Sequence, residues 1–269
     1  MPHPTLSGYL PVENGRLYYE VAGGGQPLVF IHGFSLDHRM WDEQWDFFRA
    51  RYMTIRYDWR GHGRSSDPDG PWSNFDDLML LLAHLGVGPV HLCGLSAGGG
   101  IALDFAVTYP EMTRSLLLLD SAAGGFRGWS EEFRRDFAEM RRLARENSVA
   151  AALDHWLKGE MLAPAMEQPA VAARLRQIIG GYRGWHWLHD GEEVVPDPLP
   201  YDCLEDLRAP TLVIVGERDI EDFRNIASVL GERVRGARLE TIAGSGHMAN
   251  MEAPGVVNRH IAAFLEGLD

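Results

Sequence analysis

The sequence predicts an α/β fold: a mostly parallel central sheet with helices on both faces and a small helical cap inserted before the last strands. Three observations support this prediction. Short apolar runs alternate with stretches of helical periodicity in both halves of the 269-residue chain, the order that successive βα units produce. Each predicted strand is followed by a loop containing Gly, Asp or His. One long segment, residues 122–206, contains no good strand.

The chain opens with a predicted antiparallel hairpin, because the alternating segments 8–11 and 16–21 flank Asn14-Gly15, a dipeptide typical of hairpin turns. Helices are predicted at 74–85, with Ser73 as N-cap, at 97–109, ended by Pro110, and near the C-terminus. The later helices span 220–230 and 256–268, and the buried strands span 27–31, 52–57, 90–93, 115–120, 211–215 and 238–242.

Residues 122–206 are predicted to form a cap or lid over a catalytic core made of residues 1–121 and 207–269. Helical patterns cover 130–146, 149–157 and 170–179, and several tryptophans lie among them. The segment is embedded between two sheet strands and is too short for an independent domain. Ligands of open α/β sheets bind at the carboxyl ends of the strands, so catalytic residues are expected in the loops there.

The composition excludes several classes of partner. A net charge of −13 argues against nucleic acid and anionic membrane surfaces. No apolar run reaches about 18 residues, so no transmembrane helix is predicted, and the N-terminus does not resemble a secretion signal. The two cysteines, Cys93 and Cys203, form no disulfide framework. A cytoplasmic protein acting on a small molecule is therefore expected.

A candidate nucleophile lies in residues 94–98, which match G-x-S-x-G with Ser96 at the centre. The motif has the required context, because a predicted strand precedes it and a predicted helix follows. Glycine is needed there for steric reasons, since the serine sits on a sharp turn that brings strand and helix close together. The alternative is a glycine-rich turn without chemistry.

A serine hydroxyl needs a base, usually histidine, and an acid that orients the histidine. His247 follows the last predicted strand in a glycine-containing loop, and Asp219 follows the strand at 211–215. The chain order Ser96, Asp219, His247 is the one expected on this scaffold. Rivals remain for both roles: His62 and His32 in early loops, His155, His186 and His189 in the cap, and Asp120 and Asp222 as acids.

Acyl transfer also needs N–H donors for the developing oxyanion. The residue after the nucleophile, Ala97, supplies one backbone N–H. The second is expected from Phe34, in the loop that follows the strand at 27–31.

These motifs together resemble the α/β-hydrolase fold superfamily in its serine-nucleophile branch. The matching pieces stand in family order and span nearly the whole chain: residues 32–34, 58–65, 94–99, 216–219 and 246–247, followed by 252–254. In that family the D-x-R-G-x-G-x-S stretch at 58–65 is a structural loop, which disfavours His62 as the base. The family places its cap between the strand ending at Asp120 and the strand at 211–215.

The resemblance narrows the chemistry. Epoxide hydrolases and haloalkane dehalogenases have aspartate at the nucleophile position, so Ser96 argues against both. Perhydrolases often have methionine where this chain has Ala97, and hydroxynitrile lyases depend on a lysine near the site, whereas Lys158 is poorly placed. The chain is most similar to small carboxylesterases, 3-oxoadipate enol-lactonase and acyl-homoserine-lactone lactonases, which implies no cofactor and no metal.

The expected reaction is hydrolysis of a carboxylic ester or lactone through an acyl-enzyme. A C–C bond hydrolase or a cofactor-free perhydrolase on the same residues stays open, as does a non-catalytic receptor that binds a ligand. Aromatic residues of the cap could equally pack it onto the core. The residues expected to contact substrate are Trp129, Trp156, Trp185, Trp187 and Met248.

Overall fold

The structure, a computed structural model, describes residues 4–268. Its strands are β1 (Leu6–Val12), β2 (Gly15–Ala22), β3 (Pro27–Ile31), β4 (Met53–Asp58), β5 (Val90–Leu95), β6 (Thr113–Leu119), β7 (Thr211–Gly216) and β8 (Arg238–Ile242). They form one eight-stranded sheet in the order β1-β2-β4-β3-β5-β6-β7-β8. All pairings from β4 to β8 are parallel, so the predicted mostly parallel α/β fold is confirmed.

An antiparallel hairpin begins the sheet, and β2 continues it antiparallel to β4. Val12 pairs with Gly15, so the turn consists of Glu13 and Asn14, one residue earlier than the sequence predicts. The turn requires a left-handed conformation at Asn14, whose φ is 56°. The short polar side chain of asparagine tolerates this conformation.

Helices cover the sheet and bury its central strands completely: every residue of β5 and β7 is buried, as expected for parallel strands covered on both faces. Ser73 caps the second helix by accepting the Asp76 N–H at 3.1 Å. The first helix has no N-cap side-chain bond and is only seven residues long, so the sequence did not reveal it. The helices outside residues 122–206 are α1 (Asp42–Phe48), α2 (Asn74–Leu85), α3 (Ala97–Thr108), α9 (Glu221–Arg233), α10 (Ala249–Glu252) and α11 (Pro254–Glu266).

Between β6 and β7 the chain is mostly helical, and we call residues 122–206 the insertion. Ser130 and Ser148 cap its first two helices by accepting the N–H groups of Phe133 and Ala151, each at 3.1 Å. An isolated bridge between Trp72 and Glu193 joins the insertion to the core. Its helices are α4 (Glu131–Glu146), α5 (Val149–Leu157), α6 (Ala163–Met166), α7 (Pro169–Ile179) and α8 (Trp185–Leu188).

Loops at the carboxyl ends of the parallel strands bring distant parts of the chain to one edge of the sheet. His32 follows β3, Ser96 follows β5, Asp120 follows β6, Asp219 lies beyond β7 and His247 beyond β8. None of the helices within residues 4–268 has the length and apolar character needed to cross a membrane.

Candidate active site

A sharp turn holds Ser96 between β5 and α3. Its φ is 53° and its ψ is −120°, a conformation that costs about 1–3 kcal/mol in a residue with a side chain. The Ser96 N–H donates to the Leu119 carbonyl at 3.0 Å, and the Ala122 N–H donates to the Ser96 carbonyl at 3.0 Å. The end of β6 and the loop after it therefore hold the strained turn.

Glycines make this turn possible. A Cβ at Gly94 would collide with the carbonyl oxygen of Gly98, and a Cβ at Gly98 would collide with that of Ile31. A Cβ at Gly99 would strike the Ser121 side chain. The glycines of the motif are thus required by the close approach of β5, α3 and the neighbouring strands.

His247 and Asp219 form a buried pair. The distance from His247 Nδ1 to Asp219 Oδ2 is 2.8 Å, and the two side chains are 3% and 0% exposed. The Ile220 N–H donates to the other carboxylate oxygen at 2.8 Å, and the Phe223 ring lies 4.3 Å from the imidazole, centroid to centroid. A proton held on Nδ1 by the carboxylate leaves Nε2 free to accept another, the tautomer that a general base needs.

Asp120, the rival acid, lies beside this pair. Its Oδ1 accepts the Gly216 N–H at 2.7 Å. One oxygen of Asp120, one of Asp219 and a ring nitrogen of His247 all lie within 4.8 Å of one another. His247 Nδ1 donates to Asp219, however, so the geometry favours Asp219 over Asp120 as the orienting acid.

The early-loop histidines hold backbone instead. His62 Nε2 accepts the Ser35 N–H at 3.2 Å while its Nδ1 donates to the Arg60 carbonyl at 3.1 Å. His32 Nε2 accepts the Trp59 N–H at 3.3 Å, and its Nδ1 donates to the Gly33 carbonyl at 2.8 Å. Burial lowers the pKa of both imidazoles, which keeps them neutral. Neither has a ring nitrogen left to act as base.

The other rivals also have structural partners. His155 pairs with Asp136 at 2.7 Å, and the His189 ring stacks on Trp185. Burial lowers the pKa of His186 to about 4. Asp222 accepts the Ser130 hydroxyl at 2.8 Å. Of the histidines within residues 4–268, only His247 lines the cavity beside Ser96.

That cavity has a volume of about 330 Å³ and lies between the sheet edge and the insertion. Ser96 and His247 line it together with Phe34 and Ala97, whose N–H groups are the candidate oxyanion donors. Most of the remaining wall is apolar, and no arginine or lysine of the described chain contributes to it. The predicted contacts Trp129, Trp156 and Met248 also line the cavity.

Trp185 and Trp187 do not line the cavity, and here the sequence-based expectation needs correction. Trp185 packs edge-on against Trp72, with ring centroids 5.3 Å apart. Trp187 is fully buried, and its ring lies 5.9 Å from that of Phe34 in the core, centroid to centroid. Both rings fasten the insertion to the core, which was the alternative interpretation of this aromatic cluster.

Several cavity residues were missed. Phe133 and Phe137 follow Trp129 at four-residue spacing, so they share one face of α4. The four-residue spacing indicates that these aromatic side chains share a helix face, but it does not indicate which part of the protein that face packs against. The remaining wall residues that the sequence did not predict are Gly33, Ser35, Leu36, Leu95, Ala122, Met161, Leu162, Ile179 and Phe223.

Two buried groups within residues 4–268 bring three potential metal-ligating side chains together: Asp37, His38 and Asp58, and the Asp120, Asp219 and His247 set. In each group the histidine bonds to one carboxylate, while the other carboxylate has a partner outside the group: Asp37 accepts from Arg39 and Asp120 from the Gly216 N–H. His38 Nδ1 lies 2.8 Å from Asp58 Oδ1, just as His247 Nδ1 lies 2.8 Å from Asp219 Oδ2. These bonds account for the clustering without an ion.

A parallel sheet with a serine at a strained strand-to-helix turn and a His–Asp pair at the same edge is the arrangement of an α/β hydrolase. Comparison with known families agrees: the model of the alpha/beta hydrolase family matches residues 28–260. The chain belongs to this family.

The relatives span several kinds of hydrolase. The chain is 25% identical over 268 residues to (E)-2-((N-methylformamido)methylene)succinate hydrolase of Acinetobacter baylyi, covering 97% of this chain and 98% of that protein. The crystal structure of the enol-lactonase from Burkholderia xenovorans LB400 shares the fold, with a TM-score of 0.82, 24% identity and coverage of 96% and 100%. A thermophilic esterase from Thermogutta terrifontis has a TM-score of 0.78, 25% identity and coverage of 98% and 99%.

Proposed function

We propose that this protein hydrolyses carboxylic esters or lactones of small molecules through an acyl-enzyme, with Ser96 as nucleophile, His247 as base and Asp219 as orienting acid. One observation carries the proposal: Ser96 and the Asp219-paired His247 line the same cavity. The esterase and enol-lactonase names among the relatives support the reaction class.

In the first step His247 Nε2 takes the Ser96 hydroxyl proton as Oγ attacks the substrate carbonyl carbon. The Phe34 and Ala97 N–H groups stabilise the negative charge that develops on the carbonyl oxygen. The intermediate collapses, the C–O bond to the leaving alcohol breaks, and His247 donates the proton to that oxygen. Water then attacks the acyl-enzyme with His247 as base, releasing the acid and restoring Ser96.

The cavity favours a neutral, apolar acyl group. Its wall is largely aromatic and aliphatic, and no cationic side chain of the described chain lines it. A buried carboxylate without a partner is strongly disfavoured. We therefore expect acyl groups without a carboxylate, in contrast to the succinate derivative named for one relative. The insertion acts in this proposal as a cap that encloses the acyl group.

Two matched substrates test the reaction and the acyl preference together: p-nitrophenyl butyrate and mono-p-nitrophenyl succinate. Both have a four-carbon acyl group, which ends in a methyl group in the first and in a carboxylate in the second. We expect kcat/KM to be at least about tenfold higher for the butyrate, because the cavity offers no partner for the charge. Hydrolysis of a medium-chain lactone, measured under the same conditions, tests for lactonase activity.

Ser96→Ala should reduce ester turnover by about 10⁴-fold or more, whereas Ser228→Ala, an exposed serine on α9, should leave it unchanged. Preference for the succinate ester would contradict the assigned acyl site. Micromolar binding of these compounds without turnover would favour a non-catalytic ligand-binding protein.

A further inference from the structure

Asp120 is a buried carboxyl group that the proposed reaction does not use. It follows β6 with a φ of 42°, and it is 0% exposed. One of its carboxylate oxygens lies within 4.8 Å of a carboxylate oxygen of Asp219. Two acidic groups therefore lie together in the buried region next to His247.

The two carboxyl groups differ in the donors available to them. Asp219 accepts the Ile220 N–H through Oδ1 and the His247 Nδ1–H through Oδ2, both at 2.8 Å. Asp120 accepts the Gly216 N–H through Oδ1 at 2.7 Å, but within residues 4–268 its buried Oδ2 has no donor. Since each donated hydrogen bond stabilises the ionised form of a carboxylate, Asp219 is the better site for the negative charge.

Two ionised carboxylates this close would repel each other strongly in a buried environment. A proton on one of them removes the repulsion and supplies a hydrogen bond between them, as in other carboxyl pairs that share a proton. We propose that Asp120 stays protonated and donates from Oδ2 to an Asp219 oxygen, so that it acts as a neutral positioning residue for the Asp219–His247 pair.

The surroundings of Asp120 favour the protonated form. Burial, followed by the negative charge of Asp219, raises the pKa of Asp120 well above its ordinary value. Glu252 acts in the same direction, and it accepts the N–H groups of Gly246 and Met248 at 2.9 and 3.0 Å. The titratable groups that face Asp120 are thus Asp219, Glu252 and His247, whose Nδ1 bonds to Asp219.

A neutral Asp120 has a specific consequence for the base. It restrains the Asp219 carboxylate, and through it the imidazole ring, without placing a second negative charge near His247. An ionised Asp120 would favour the imidazolium form of His247, which cannot accept the serine proton at neutral pH. In a plot of kcat/KM against pH, activity falls on the acidic side as the free base is lost. With an ionised Asp120 this acid limb would lie at higher pH.

Two substitutions separate these states. Asp120→Asn replaces the protonated carboxyl with a neutral amide that can still donate to Asp219 and accept from Gly216, whereas Asp120→Ala removes both bonds. We expect the Asn variant to keep kcat/KM within about threefold and its acid limb within about 0.2 pH units of wild type, while Ala loses about ten- to a hundredfold, mainly in kcat. These activity readouts rest on the proposed function.

Infrared difference spectroscopy does not rest on it. At neutral pH the difference spectrum between wild type and Asp120→Asn should contain the carbonyl stretch of one protonated carboxyl group. Because the pKa of Asp104 is raised to about 7, the same difference is recorded in an Asp104→Asn background, where this band should persist. A wild type that hydrolyses no ester or lactone would overturn the proposed function while leaving this band in place. The two failures are therefore distinguishable, and the Asn variant and the infrared band remain decisive if Asp120→Ala does not fold.

The proposal is overturned if the acid limb of Asp120→Asn moves to lower pH by more than about half a unit, because that shows a lost negative charge. An absent infrared band, or an Asp120→Ala variant as active as wild type, also overturns it.

Asp104→Asn is a matched control: Asp104 lies on α3 outside the cavity, with an unbonded buried Oδ1 and a pKa raised by burial to about 7. It should change neither kcat/KM nor its pH profile.

Discussion

The sheet edge and the insertion meet at the same cavity but contribute different groups. The sheet edge supplies polar side chains fixed by short hydrogen bonds, such as Asp219 between the Ile220 N–H and His247. The insertion supplies mainly apolar surface, including Trp129 just before α4 and Phe133 and Phe137 on one face of α4. We infer that the edge determines which bond is cleaved and the insertion determines which acyl group fits.

The two regions are also bonded to each other. Trp156 of the insertion donates from Nε1 to Ser35 Oγ at 2.8 Å, directly beside the proposed oxyanion donor Phe34. Arg183 donates to the carbonyl oxygens of Gly63 and Ser65 at 2.7 and 2.9 Å. The position of the insertion is therefore coupled to the loops that follow β3 and β4. The division of roles between the two regions can be tested by substitution.

The largest effect is expected at the sheet edge. Asp219→Asn should lower kcat by about 10³–10⁴-fold, because an amide no longer selects the productive tautomer of His247. Asp222→Asn removes a nearby carboxylate that bonds Ser130 instead, and it should keep kcat within about threefold. Full activity in Asp219→Asn would assign the orienting role to Asp120.

An intermediate effect is expected where the two regions meet. Trp156→Phe keeps an aromatic wall but removes the hydrogen bond to Ser35, so the Phe34 N–H should shift and kcat should fall by about tenfold. Trp185→Phe, outside the cavity, serves as the control. A change in KM with kcat unaltered would mean that Trp156 contributes only to the cavity wall.

The smallest effect is expected in the insertion wall. Phe137→Ala should raise KM for p-nitrophenyl butyrate by about five- to tenfold and leave kcat within about threefold, because it removes apolar contact without touching the reacting groups. Phe47→Ala, a half-exposed phenylalanine on α1, is the matched control. If kcat of Phe137→Ala fell as far as that of Asp219→Asn, the proposed division of roles between the sheet edge and the insertion would be wrong.

Sequence patterns predicted the central strands well because they are locally encoded as continuous apolar runs. β8 was predicted as a buried strand as well, but it is mostly exposed. Helix α1 was missed because a seven-residue helix without a side-chain cap leaves little local signal. Among the aromatic residues, Trp129 and Trp156 reach the cavity while Trp185 and Trp187 do not. The sequence pattern treats these four tryptophans alike, since each is an apolar ring in the insertion.

The sequence by itself determined the fold class and the turn around Ser96. Both depend on local properties: hydrophobic periodicity along the chain and the absence of a Cβ at Gly94, Gly98 and Gly99. Only the tertiary structure decided that Asp219 and not Asp120 bonds to His247, and which rings of the insertion face the cavity. Those outcomes depend on how side chains from distant segments meet in space, which spacing along the chain does not encode.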